Sequence, residues 1–192
     1  MKTHLLTILF ILTFLITGCS QIVTNIEDLP YEDIINNQYS NPKSSIEVEK
    51  ILWKKTINDK EVFLLYLNKN RTISVSRIAY VNDKWEAFVT TPISRSGDEE
   101  ISWQWSLISN APNEDKPEVA AIIWGYIYSS EVEKILVGSD KEQEFFEEAN
   151  ILDFEDYGIK VYYFLTDDET GFEYNTVVAY DDLGNALFNN RD

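Results

Sequence analysis

Carboxylates, tryptophans and tyrosines are the chemistry-bearing side chains this 192-residue sequence holds in quantity; it has a single histidine, His4, and a single cysteine, Cys19. One residue of each type cannot build a zinc site from His and Cys, and one cysteine forms no internal disulfide. Acidic clusters stand at Asp98-Glu99-Glu100, Asp167-Asp168-Glu169 and Asp181-Asp182. Calcium takes about 6 to 8 oxygen ligands, so such clusters are candidates for it, but none has the spacing of an EF-hand loop. Solvated turn chemistry is the expected role of Asp167, Asp168, Glu169, Asp181 and Asp182, with a metal site as the alternative. Two carboxylates about 5 to 10 Å apart would also serve a glycosidase, and spacing singles out no pair. Trp103 and Trp105, two residues apart, share one face of a strand with Ile101 and Leu107. That apolar face is expected in the core; an exposed pair would instead stack on sugar rings. Ser-x-x-Lys at a helix start, Gly-x-Gly-x-x-Gly and the phosphate-loop pattern are all absent, so neither a nucleotide nor another cofactor is implied.

The compartment is read from the N-terminus. Lys2 and His4 precede Leu5–Ile16, which is apolar except for Thr7 and Thr13. A spanning helix needs about 20 apolar residues, whereas a signal peptide needs about 7 to 15 followed by small residues. The run ends in Ile16-Thr17-Gly18-Cys19, which resembles the lipobox of bacterial lipoproteins. The resemblance implies diacylglycerol transfer to the Cys19 sulfur, cleavage after Gly18 and an extracytoplasmic protein held on the cell membrane. Two acyl chains suffice for stable anchoring, at about 0.8 kcal/mol per buried CH₂. The only histidine then leaves with the signal peptide, which removes histidine general bases and Ser-His-Asp triads. A composition rich in Lys, Asn, Ile and Tyr also resembles that of small lipoproteins of low-GC Gram-positive bacteria.

Charge divides the remaining 174 residues. Residues 19–97 carry ten basic and ten acidic side chains, whereas residues 98–192 carry five and 23. Phosphate backbones are bound through Lys and Arg, so nucleic acid is not an expected partner. The aromatic fraction of 14% and hydrophobic fraction of 44% are those of a globular chain.

These side chains must be positioned by strands. Residues 19–45 are polar and read as a tether, with one short helix from Pro30 to Gln38 because proline and early carboxylates suit a helix start. Period-two alternation then predicts strands at Ile46–Ile57, Glu61–Leu67, Thr72–Val81 and Trp85–Thr91, separated by Asn/Asp/Lys turns, as a four-stranded meander. Further strands are predicted at Ile101–Ile108 and at Val119–Tyr128, the latter apolar on both faces and therefore central. Ser139-Asp140-Lys141-Glu142 has capping-box spacing and predicts a helix burying Phe145, Phe146 and Ala149. Strands at Ile159–Thr166, Glu173–Tyr180 and Ala186–Phe188 complete the chain.

Glu47-Val48-Glu49-Lys50-Ile51-Leu52 recurs identically as Glu131-Val132-Glu133-Lys134-Ile135-Leu136. Downstream, Val62–Leu67, Ile78-Ala79-Tyr80 and Phe88 match Val161–Thr166, Val178-Ala179-Tyr180 and Phe188 at nearly equal spacing. The expected fold is mainly β, with α+β as the alternative. It comprises two related antiparallel meanders, at about 46–91 and 131–188, joined by strands within 101–128, plus one or two short helices. The expected function is non-catalytic: an envelope module that binds a protein or cell-wall component. A carboxylate-dependent glycan hydrolase and a calcium or solute binder are the alternatives.

Overall fold

Two strands dictate the layering, because Glu61–Asn68 and Ala121–Ile127 are buried at every position. Successive side chains in a strand point to opposite faces, so each strand needs cover above and below. The computed structural model describes residues 25–39, 46–89, 100–107, 121–139, 145–167 and 174–190. Its elements are helix α1 (Tyr31–Tyr39) and strands β1 (Val48–Asn58), β2 (Glu61–Asn68), β3 (Ile73–Val81), β4 (Lys84–Val89), β5 (Gln104–Leu107), β6 (Ala121–Ile127), β7 (Lys134–Ser139), β8 (Phe145–Glu148), β9 (Asn150–Phe154), β10 (Ile159–Thr166), β11 (Thr176–Tyr180) and β12 (Ala186–Asn189). The fold is mainly β. Three antiparallel sheets have the orders β1-β2-β3-β4, β5-β6-β10-β9 and β12-β11-β7-β8.

The sheets stack, and the alternation of each strand assigns its residues to a layer. Phe63, Leu65, Leu67, Ile73 and Val75 of the first sheet meet Ile122, Trp124, Tyr126, Val161 and Tyr163 of the middle sheet. The opposite face of the middle sheet, with Ile123, Ile127, Tyr162 and Phe164, meets Val132, Ile135, Val137, Val177 and Ala179. The outer face of the first sheet, with Val62, Leu64, Tyr66, Ile78 and Ala87, is covered by Tyr31 and Ile35 of α1 and by Ile26 and Leu29. β6 is central, as its two apolar faces predict, and the first four strands form the expected meander.

Three expectations are corrected. The stretch read as a tether is docked over residues 25–39. Gln38 exchanges two 2.8 Å hydrogen bonds with the Ala87 backbone, which covers the β4 edge as an exposed edge requires. Glu27 pairs with Lys54 and accepts from Thr56 Oγ1. Burial of Ile26, Leu29 and Ile35, at about 1.5–3 kcal/mol each, outweighs the entropy of a free segment.

The helix expected beyond Ser139 is replaced by a strand pair over its described part: Ser139 ends β7, and Phe145–Glu148 pairs with it in the register Gly138↔Phe146. A capping box contributes about 1 kcal/mol, less than ladder pairing with a buried Ala149 between two sheets. Asp140 to Glu144 lie outside the described residues.

The second of the two related units is not a meander, since β7 pairs with β11 while β10 lies in the middle sheet between β6 and β9. Val161–Phe164 is buried on both faces, as its place between the other two sheets provides. The repeated hexapeptides nonetheless share a burial pattern: Val48 and Val132 are buried, while the Glu and Lys of each copy are exposed.

Candidate functional site

The connection between β9 and β10 is a single 3-10 turn, Glu155–Tyr157, closed by Gly158 at φ 60°, ψ 39°, whose N–H donates to the Glu155 carbonyl. Glycine adopts this left-handed conformation without the steric penalty of a Cβ. The turn projects Tyr157 between two cavities. The first, about 320 Å³, is lined by Arg71, Tyr126, Ile127, Tyr128, Tyr157, Gly158, Ile159 and Lys160. The second, about 420 Å³, lies among Lys50, Ile51, Leu52, Asp153, Phe154, Glu155, Asp156 and Tyr157.

Each wall is held by the stack. Tyr126 is buried at the end of β6, and its hydroxyl accepts from the Ile73 N–H at 2.7 Å, tying the middle sheet to the first. Its ring stacks on Tyr128, with centroids 5.8 Å apart and planes 17° apart. Lys50 Nζ donates to the Tyr157 hydroxyl at 2.6 Å and lies 5.1 Å from the ring centroid. That hydrogen bond, joined by the nearby Asp156 charge, raises the Lys50 pKa, so its charge is secure at neutral pH. Lys160 Nζ donates to the Val132 carbonyl at 3.0 Å. Arg71 sits at the β2–β3 turn, 70% exposed in its side chain and 3.8 Å from a Glu49 oxygen.

The cavities differ in sign. The charged residues lining the first are Arg71 and Lys160, with no carboxylate among the described residues. The second has Lys50 with Asp153, Glu155 and Asp156. Aromatic faces, donors and charges of both signs are groups that hold a ligand in a concave site.

The residues singled out from sequence lie elsewhere. Trp103 is 41% exposed, whereas Trp105 is half-buried against the core between the middle and third sheets. The face expected to be core is therefore core at Ile101 and Trp105 but not at Trp103, and neither tryptophan lines either of these two cavities. The cause is Ser102, whose N–H donates to the Tyr126 carbonyl and whose Oγ takes the Tyr126 N–H, freeing its own carbonyl for the Tyr162 hydroxyl.

Asp181 is occupied by its own turn: it accepts from the N–H groups of Leu183 and Asn185 and from Asn185 Nδ2. These bonds, chiefly those from Asn185, lower its pKa. Asp167 and Asp182 are exposed. Asp168, Glu169 and Cys19 lie outside the described residues. Among the described residues, no group of three or more His, Cys, Asp or Glu side chains is placed to hold a metal ion.

Sequence reading missed Arg71, Lys50 and the three tyrosines because they come from four separated segments that only the stacking of two sheets brings together. One local signal existed at Arg71, which follows Asn68-Lys69-Asn70 at a place where a hairpin loop favours glycine. A second missed feature is the ion pair of Arg77 Nε with Glu61 Oε1, at 2.7 Å and almost wholly buried, with Phe88 against the guanidinium.

No protein family, no curated protein and no solved structure matches this chain.

Proposed function

We propose that this chain is a lipid-anchored, extracytoplasmic binding module of the cell envelope, non-catalytic, with its ligand seat in the cleft at Tyr157. The anchor is supported by Cys19 after Gly18 at the end of an apolar run too short to span a bilayer. The observation that carries the binding role is the Tyr157 turn, which sets an aromatic ring bonded to a cation between two cavities. Envelope glycan or an envelope protein, reached from the membrane surface, is the partner class.

The anchor is tested by intact mass measurement of the membrane-fraction protein. The wild type should begin at Cys19 and carry diacylglycerol, and Cys19→Ala should carry no lipid. Wild-type protein recovered from the cytoplasm with Met1 intact would refute the anchor. A second reading, a carboxylate-dependent glycan hydrolase, is favoured by one observation: Asp153, Glu155 and Asp156 line a single cavity. Turnover of wall-derived glycan that is abolished by one substitution among these three acids would replace binding with hydrolysis.

A further inference from the structure

We propose that the cavity lined by Arg71 and the tyrosines binds an anionic group, the phosphate or carboxylate of a saccharide-sized ligand, with Arg71 as its principal counter-charge. This deepens the binding-module reading and rests on it. The argument begins with the backbone at position 71. Asn68 and Thr72 close the hairpin between β2 and β3 around residues 69–71: the Arg71 N–H donates to the Asn68 carbonyl and the Asn68 N–H to the Thr72 carbonyl, both at 2.8 Å. The last residue of such a three-residue loop adopts the left-handed conformation, and Arg71 does so at φ 69°. Glycine builds that turn without penalty, whereas arginine is held there against its preference. Backbone strain of this kind points to a use for the side chain.

The contacts of Arg71 do not supply that use within the fold. Its ion pair with Glu49, at 3.8 Å, is too long for a hydrogen bond, and the side chain is mostly exposed. What the position does provide is a guanidinium on the wall of a cavity of about 320 Å³. The second charged lining residue is Lys160, in a chain of net charge −17. A planar guanidinium donates two parallel hydrogen bonds to phosphate or carboxylate, the pairing for which arginine is better suited than lysine. The half-buried Tyr128, backed by the buried Tyr126 ring stacked on it, and the half-buried Tyr157 offer aromatic surface to the ring that carries the anion. The volume is at the small end of ligand sites and suits one or two sugar rings rather than a long polymer segment.

The test uses the mature lipidated protein in phosphatidylcholine nanodiscs, titrated calorimetrically with glucose 6-phosphate, glucuronate and glucose. Glucose 6-phosphate or glucuronate should bind at least tenfold more tightly than glucose, and the stronger of the two identifies the anion. Arg71→Gly, which suits the turn, should weaken the anionic probe at least tenfold while thermal stability holds or rises. Lys55→Ala removes an exposed cation that lines neither cavity and should bind as the wild type does. Equal binding of the three sugars, binding by none, unchanged affinity in Arg71→Gly, or a fall in its melting temperature would each overturn the proposal. Such a failure in protein that carries lipid on Cys19 leaves the envelope reading standing; absence of lipid from Cys19 overturns that reading whatever the titrations give.

Discussion

Gly125→Ala should be among the most damaging single-methyl additions to this fold. Gly125 lies on β6, where a Cβ would stand 1.9 Å from the Ser102 carbonyl oxygen, 2.6 Å from the Ser102 carbonyl carbon and 3.0 Å from Tyr162 Cε1. Two of these are backbone atoms, so no rotamer change relieves the clash, and the Ser102 segment must withdraw from the sheet. Withdrawal breaks three hydrogen bonds: Ser102 N–H to Tyr126 O at 2.9 Å, Tyr126 N–H to Ser102 Oγ at 2.9 Å and Tyr162 hydroxyl to Ser102 O at 3.1 Å. Each contributes about 1 kcal/mol net. Alanine restricts the unfolded chain and returns about 0.4–1 kcal/mol, which leaves a destabilisation of about 2–3 kcal/mol.

For a chain of this length that corresponds to a fall in Tm of about 4–12 °C. Gly158→Ala is the control, because a Cβ there meets nothing within 4 Å and only the φ of 60° penalises it. Its loss should be about 1 kcal/mol, the backbone cost alone. Urea unfolding followed by tryptophan fluorescence measures both, since Trp124 is fully buried beside Gly125. A change within about 0.5 kcal/mol for Gly125→Ala, the scatter of a neutral surface substitution, or a smaller loss than for Gly158→Ala, would show that the Ser102 segment does not clash with a Cβ at this position.

Arg77→Leu should cost about 3–5 kcal/mol in urea unfolding by stranding Glu61 in the core, and adding Glu61→Leu should recover much of that loss. Arg71→Gly should raise stability by up to about 1 kcal/mol, readable as a higher Tm, because φ 69° suits glycine. Burial raises the Tyr162 pKa well above that of a free phenol. The folded state therefore keeps a proton that the unfolded state loses, so stability is fully present below the unfolded pKa of about 10 and is lost as pH rises past it towards the folded value. Tyr162→Phe should flatten that alkaline loss in a pH series of unfolding curves. The lowered pKa of Asp181 has the opposite sign: its stabilisation is present above the unfolded carboxylate pKa and is lost as pH falls through the folded value. Asp181→Ala should be less sensitive to acid over that window than the wild type.

How much of the fold is legible in sequence follows from how local each signal is. The meander β1 to β4 is set by neighbours: alternation assigns faces, and Asn82-Asp83, both at positive φ, turns the chain within two residues. β6 and β10 are recognisable as strands by the same pattern. The expected helix after Ser139 fails because a capping box is a weak local preference, and pairing with β7, which lies earlier in the chain, competes with it. Trp103 fails as a core residue because Ser102 gives its hydroxyl, not its carbonyl, to the ladder, and that exchange depends on a glycine on another strand.

The β class, the strand boundaries of the first sheet and the concentration of acid in the second half are all written in the order of the residues. These rest on composition and on interactions within a few residues. Long-range packing decides that β10 leaves its repeat partner's pattern for the middle sheet, that residues 25–39 seal the outer face, and that Tyr157 stands between a cavity walled by Arg71, Tyr126 and Tyr128 and a second one walled by Lys50. Convergence of that kind is a property of how sheets stack. Stacking is governed by apolar faces that are interchangeable in sequence, so the same alternation is compatible with several layer orders, and the total burial available to each strand selects one.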